Sequence, residues 1–277
     1  PERSMRTWRV TSYTQLTANR AADADVADPP AVVDRTPRTD LDLLPAGATS
    51  GVALHRLFEL LDFDASDEAI AASTADTLEH YGLLGALDAG AQARVVAATA
   101  RMAATTLRTP VPAWGFALDA VPRSRTLREW SFNLAVDRAD LGRVADALRT
   151  TGTAAGEYAD RVASLDRGAI DGFLTGIVDL VFEHHGKWYL VDWKSNHLGH
   201  DPTAYGPDGL ATQMEAHHYV LQYQLYLVAL DRFLRGRVPD WDPATMLGGV
   251  GYVFLRGGAW YVDAPGAEVI AAVGAAL

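Results

Sequence analysis

GFLTGIVDLVF at residues 172–182 and WYLVDWK at residues 188–194 are the two runs on which the reading of this chain turns. Both are rich in aromatic and β-branched residues, and Glu183-His184-His185-Gly186-Lys187 joins them. They predict the two strands of a hairpin. Side chains two apart on a strand share a face, so Asp192 and Lys194 point the same way. With a loop from His184 to Lys187, Glu183 pairs with Trp188 and Asp179 falls opposite Asp192, their Cβ atoms about 4.5–5.5 Å apart. Two carboxylates so placed on an apolar hairpin repel each other and resist desolvation, and a bound hard cation relieves both effects. A loop one residue longer puts them on opposite faces, so the reading stands on this register.

By itself the tripeptide Asp192-Trp193-Lys194 equally describes a strand-end carboxylate paired with a lysine. A carboxylate inside Ile177-Val178-Asp179-Leu180-Val181-Phe182 is harder to explain structurally, because an uncompensated buried charge is costly. Oxygen ligands with open coordination positions suit Mg²⁺, with Mn²⁺ as a substitute, and Lys194 beside the ion can orient a water or stabilise phosphate charge.

Working outward, residues 196–212 read as irregular and lead into one long helix through about 235, with Met214, Leu221, Leu225 and Val228 on its apolar side. Gln222 and Tyr226, four apart, share a face of that helix and can contact substrate or support the carboxylates. Residues 249–255 and 260–262 form a second hairpin around Gly257-Gly258. Upstream, Leu54, Leu57, Phe58 and Leu61 recur at helical spacing after a candidate N-cap at Thr49 or Ser50, and His55 lies off that stripe. Further helices are expected at about 67–82, 91–106 and 138–150, with a strand-like stretch at 113–136. The domain reading is an N-terminal arm and tether over 1–46, its 20–46 portion rich in Ala, Asp and Pro, followed by a body over 47–277. That body has a helical part at about 47–150 and a sheet with the long helix at about 165–277. The fold class is α/β, a mixed sheet flanked by helices with a mostly helical N-terminal half.

The 277 residues, 49% hydrophobic, suffice for a full-sized core. No apolar run reaches bilayer-spanning length and no leader pattern opens the chain, so a cytoplasmic protein without membrane partners is expected. The chain has no cysteine. That excludes thiolate metal sites, disulfides and cysteine nucleophiles. It opens on Pro1 without an initiator methionine, which suggests a domain excised from a longer polypeptide. The net charge of −11 argues against holding nucleic acid by general electrostatics. Arg123, Arg125 and Arg128 cluster, as a solvated face commonly does, and are not read as a binding groove.

The blocks WRVTSYTQL (from Trp8), LPAGATSGVALHRLFELLDF, GFLTGIVDLVF, YLVDWKSNHLG, HHYVLQYQLYLVALDRFLRGR and GGVGYVFLRG together resemble the nuclease domain of RecB-type helicase–nuclease subunits, within the PD-(D/E)XK nuclease superfamily. The resemblance spans almost the entire chain. It implies a restriction-endonuclease-like fold and a metal-dependent exodeoxyribonuclease of the exonuclease V type, acting in DNA repair and recombination. The substrate is then single-stranded DNA delivered by a helicase. The implied partners are RecC-like and RecD-like subunits and the rest of a RecB-like chain. By resemblance His55 is a metal ligand, Asp179 the first acidic ligand, Asp192 the second, the Trp193 carbonyl a further ligand and Lys194 the catalytic lysine. Gln222 and Tyr226 match the family's Q-x-x-x-Y motif, and Glu129, in REWSF ahead of a strand, an earlier acidic position. The proline of the superfamily's name is absent. Some relatives carry a four-cysteine iron–sulfur cluster, which this cysteine-free chain does not.

A catalytically silent nuclease fold that only holds DNA is the competing reading. Retention of His55, Asp179, Asp192 and Lys194 together argues against it. A small-molecule metallohydrolase would call for a substrate pocket that the sequence does not reveal. No G-x-x-x-x-G-K-[ST] loop occurs, so ATP hydrolysis belongs elsewhere.

Overall fold

The computed structural model describes residues 9–12, 38–150, 154–165 and 170–277. Most of the 20–46 tether therefore lies outside the described residues. The hairpin forms as the sequence dictates. Strands β3 (Ile170–His184) and β4 (Lys187–Lys194) pair antiparallel, Glu183 with Trp188 and Leu180 with Val191. The connection is shorter than expected, because His184 also pairs with Lys187. His185 (φ 51) and Gly186 (φ 78) both take left-handed backbone, the two-residue turn whose twist matches a hairpin. The register is unchanged by the extra pair.

A mixed sheet grows from this hairpin. Strand β2 (Thr126–Ala139) runs antiparallel to β3 along one edge, while β5 (Leu247–Phe254) lies parallel to β4 and β6 (Ala259–Asp263) closes antiparallel on β5. Strand β1 (Arg9–Ser12) pairs parallel with Gly172–Thr175. Since β2 already occupies one edge of β3 there, β1 and β4 share the other edge in tandem. β1 covers residues 172–175 and β4 covers 180–184. Between them, residues 176–179 have no strand partner on that edge among the described residues.

Helices cover both faces. On one side α1 (Ala48–Leu60), α2 (Asp67–His80) and α3 (Ala89–Arg108) enclose a core of Leu54, Leu57, Phe58, Val95 and Leu107 against Leu180, Phe182, Val191 and Trp193. On the other, α4 (Leu141–Arg149), α5 (Ala154–Ala163), α6 (Pro207–Ala216), α7 (Tyr219–Arg235), the short α8 (Pro243–Met246) and α9 (Ala267–Ala276) follow in chain order. The core there joins Val144, Leu148, Leu221, Leu225 and Val273 to Val181, Leu190, Val250 and Tyr252. Alternating side chains of β4 and β5 feed the two cores in turn, as a sheet covered on both faces requires.

Several local readings change. The long helix is two helices, α6 and α7, broken at His217-His218, where His218 takes φ 57. The N-cap of α1 is Gly47 rather than Thr49 or Ser50. Within 113–136 the strand starts only at Thr126, after short 3-10 turns at Leu118–Ala120 and Arg123–Arg125. Helix α5 lies in a stretch with few apolar anchors, Tyr158, Ala159 and Val162. Leu44, from the end of the presumed tether, is buried in the first core. No helix among the described residues is long and apolar enough to cross a membrane.

Candidate metal centre and active site

The opening between β1 and β4 holds a cavity of about 560 Å³. Its floor carries a row of carboxylates that follows from register alone. Carried one residue past Leu180 and Val191, the β3–β4 pairing sets Asp179 opposite Asp192. On the other edge, Arg128 pairs with Leu180 and Trp130 with Val178, so Glu129 stands opposite Asp179. Glu129 lies inside β2 rather than ahead of it, and it takes left-handed backbone (φ 48) that interrupts the strand. The β3 side chains respond at the same level. Val178 packs into the core beneath α7, whereas Leu180 packs beneath α1, so the strand rolls over at Asp179. Asp179 is thereby reachable from both helical layers.

From one layer comes His55. The α1 stripe buries Leu54, Leu57 and Phe58, and Phe58 stacks on Trp193 at 4.5 Å, which turns the half-buried His55 toward the cavity. Its Nδ1 lies 3.2 Å from Asp179 Oδ1. The other Asp179 oxygen accepts the Trp193 N–H at 2.7 Å. Arg128 fixes the end of α1 by donating to the carbonyls of Phe58, Glu59 and Leu61, so the arginine preceding Glu129 anchors the helix that carries His55. Arg123 donates to Leu60 O and Asp62, and Arg125 to Glu183. All three arginines of the run are thus committed within the fold.

From the other layer, α7 brings Gln222 and Tyr226. Tyr252 donates to Gln222 Oε1 at 2.9 Å and Gln222 Nε2 donates to Tyr226 Oη at 3.0 Å, which fixes the amide orientation. Lys194, buried, lies 2.6 Å from Asp192 and 3.5 Å from Gln222 Oε1, with Nζ 3.8 Å over the Tyr219 ring. The strand-end pair that the tripeptide allowed is therefore present, inside the site. Gly176 lets α7 approach, since a Cβ there would meet the Phe132 ring at 2.7 Å and Tyr226 at 3.2 Å.

The electrostatics follow from crowding like charges beside two cations. Burial works against a charged His55, but Asp179 and Asp192 outweigh it and lift the imidazole to about 9. Burial opposes ionisation of Asp179 as well, yet His55, Lys194 and the Trp193 N–H hold it below the usual carboxylate range. Burial lifts Asp192 to about 7 despite Lys194, with Asp179 adding repulsion. Glu129 rises to about 6 through burial and then the nearby Asp179. The resulting cluster suits a divalent ion: ligand atoms of His55, Glu129 and Asp179 lie within 4.8 Å of one another. Carboxylate oxygens with a single imidazole favour a hard cation. Asp192 sits beside this group, turned toward Lys194. The resemblance had flagged Glu129; its left-handed backbone and its place in the row are structural findings. The contacts of Tyr219 with Lys194 and of Tyr252 with Gln222 have no sequence signal.

The chain is 34% identical to the RecBCD enzyme subunit RecB of Escherichia coli K12 over 259 residues, 90% of this chain and 21% of that protein. It is 33% identical to RecB of Mycobacterium tuberculosis H37Rv over 283 residues, and 32% identical to RecB of Mycolicibacterium smegmatis over 294 residues. These alignments cover 91% and 90% of the chain and 26% of each relative, so the chain spans about a quarter or less of the length of these proteins. The family model of the PD-(D/E)XK nuclease superfamily matches residues 33–270, and the chain belongs to that superfamily, related to RecB-type subunits.

Proposed function

We infer that this chain is a Mg²⁺-dependent nuclease that hydrolyses DNA phosphodiesters, with residues 47–277 as its catalytic body and 1–46 as an arm. One observation carries the reading: Glu129, Asp179 and Asp192 stand side by side across three strands, flanked by His55 and Lys194, in an open cavity. His55, Asp179, Asp192 and the Trp193 carbonyl would hold the ion, with Glu129 available beside them. When bound, the ion polarises a phosphoryl oxygen and makes a water acidic enough to attack at neutral pH.

The remaining work falls to the chain. Lys194 presents positive charge where charge builds on the phosphate, and its carboxylate, amide and ring neighbours hold it there. Gln222 is fixed by Tyr252 and Tyr226, which keeps its acceptor oxygen on Lys194. Kinship with RecB subunits of the RecBCD enzyme supports a role beside helicase and RecC-like and RecD-like partners that deliver single strands for repair and recombination. A cytoplasmic location accords with that role.

The test is Mg²⁺- and Mn²⁺-dependent cleavage of single-stranded DNA by the purified chain, alongside Asp179→Ala and Asp192→Ala. Cleavage that disappears in both folded variants is expected. A chain that binds DNA but cuts none under either metal would favour the silent, DNA-holding reading instead.

A further inference from the structure

A second group of ligands lies outside the nuclease centre, in the loop that follows Lys194. His197 and His200 sit three apart in His197-Leu198-Gly199-His200, and Gly199 (φ 109) turns the chain so that their rings meet edge-on with centroids 5.0 Å apart. Asp42, from the 3-10 turn Asp40–Leu43, faces both. Its Oδ2 accepts the Arg38 N–H at 3.0 Å, the Thr39 N–H at 2.7 Å and the Thr39 hydroxyl at 2.9 Å. Its Oδ1 points to His197 Nε2 at 3.6 Å, and Oδ2 lies 3.8 Å from His200 Nδ1. Ligand atoms of the three residues all fall within 4.8 Å of one another.

These separations are too long for hydrogen bonds. The His197 separation is close to the ligand-to-ligand edge, about 3.3 Å, of a tetrahedral site with bonds of 2.0–2.1 Å, and the His200 separation runs to the other carboxylate oxygen. The three side chains are also withdrawn from solvent, with exposures of 14% for Asp42, 8% for His197 and 10% for His200. The Nε2 of His200 is sealed from solvent and meets no hydrogen-bonding partner among the described residues. A buried imidazole nitrogen with no partner is costly. That cost falls on Nε2, whereas the nitrogen facing Asp42 is Nδ1, so the spacing and burial of the three ligand atoms carry the case for a metal. Two imidazoles and one carboxylate form a donor set for Zn²⁺ or a similar transition metal rather than Mg²⁺.

We propose that Asp42, His197 and His200 form a structural transition-metal site, of the Zn²⁺ class, that clips the loop after the candidate catalytic strand to the segment preceding α1. The same two segments are already stitched by Arg256, which donates to Ser195 O, Leu44 O and Pro45 O. The clip therefore reinforces an existing junction three residues beyond Lys194. It is independent of whether the nuclease centre works as described.

The test uses the full chain carrying Asp179→Asn and Asp192→Asn, stripped with chelator and titrated with Co²⁺ and Zn²⁺, so that the nuclease centre keeps only one carboxylate, Glu129. One equivalent of Co²⁺ with the strong visible absorption of a four-coordinate site is expected. It should be lost when His197→Ala or His200→Ala is added. Zn²⁺ at a hundredfold excess over its dissociation constant should raise the unfolding midpoint by about 5 °C. In the otherwise unsubstituted chain, His200→Gln, checked for folding by circular dichroism, should lower bound zinc by one equivalent in elemental analysis. A folded His200→Gln chain that keeps its full zinc content overturns the proposal, as does a double variant that takes up no transition metal. An unsubstituted chain that holds this zinc equivalent but cleaves no DNA would count against the nuclease reading alone.

Discussion

Glu129 reaches the level of Asp179 on a left-handed backbone, φ 48, in the middle of an otherwise extended strand. A side chain other than glycine in that conformation costs on the order of 1 kcal/mol, and such strain concentrates where function requires it. The strand rolls over at this level, and the roll is what exposes three neighbouring carboxylates to one cavity.

Replacing Glu129 by glycine and by alanine separates strain from chemistry. Both substitutions remove the carboxylate and should weaken Mn²⁺ binding alike. Glu129→Gly should be more stable than Glu129→Ala by about 1 kcal/mol, because only glycine adopts the left-handed backbone freely. Denaturant unfolding and Mn²⁺ calorimetry on both variants check this. Equal stability would show that the strand straightens when the carboxylate leaves.

Lys194→Met should divide metal binding from the chemical step. In the metal-free chain Lys194 holds Asp192 at 2.6 Å, so the variant frees a carboxylate and Mn²⁺ affinity should be retained or rise. Cleavage should fall by about 10²–10³, the usual consequence of removing one preorganised charge. Single-turnover cleavage at saturating Mn²⁺ measures the second effect. Unchanged single-turnover rates would confine the lysine to a structural role.

Much of this site could be read from the hairpin. A loop from His184 to Lys187 and a two-residue turn at His185-Gly186 give the same register, so the opposition of Asp179 and Asp192 survived an imperfect loop assignment. His55 lies off an apolar stripe, a position that by itself favours solvent, and only the family resemblance marks it as a ligand. What stayed hidden depends on contacts distant in sequence or on single backbone angles. The pairing of Val10 with Phe173, which frames the cavity, links segments with no shared local pattern. The break at His218 interrupts a hydrophobic periodicity that continues on both sides, so helical spacing alone reads through it. The left-handed backbone of Glu129 likewise has no sequence signature, because glutamate carries no preference for it.

Metal affinity should depend steeply on pH, with a sign set by the raised pKa values. His55 in the metal-free chain keeps its proton up to about 9, Asp192 up to about 7 and Glu129 up to about 6. A metal ion needs each of these ligands deprotonated, so it competes with protons. Apparent Mn²⁺ affinity should rise about tenfold per pH unit between 7 and 9, more steeply below 7, and level off above 9. Calorimetry in buffers of different ionisation enthalpy should register proton release at pH 8. Affinity that does not change between pH 6.5 and 9 would mean that His55 is not a ligand.

The last expectation concerns delivery of the substrate, and it rests on where the positive charges are. The chain carries a net charge of −11, and Arg123, Arg125 and Arg128 are spent on the end of α1, Asp62 and Glu183. In the cavity itself one lysine faces three carboxylates. Few phosphate counterions can then be released on contact, so DNA binding by the 277-residue chain should be weak and should show a shallow salt slope. A strand held in place by an attached helicase does not need that affinity, because tethering raises its local concentration to about the millimolar range. Initial cleavage rates for the isolated chain should therefore rise linearly with single-stranded DNA through the micromolar range. The same residues within a longer RecB-like polypeptide and its partner subunits should saturate at far lower DNA concentrations. Asp192→Ala preparations of both forms control for contaminating nuclease. If the isolated chain saturates at the same DNA concentration as the assembled form, its own surface suffices to hold the strand, and the described arginines cannot be as fully committed as their hydrogen bonds indicate.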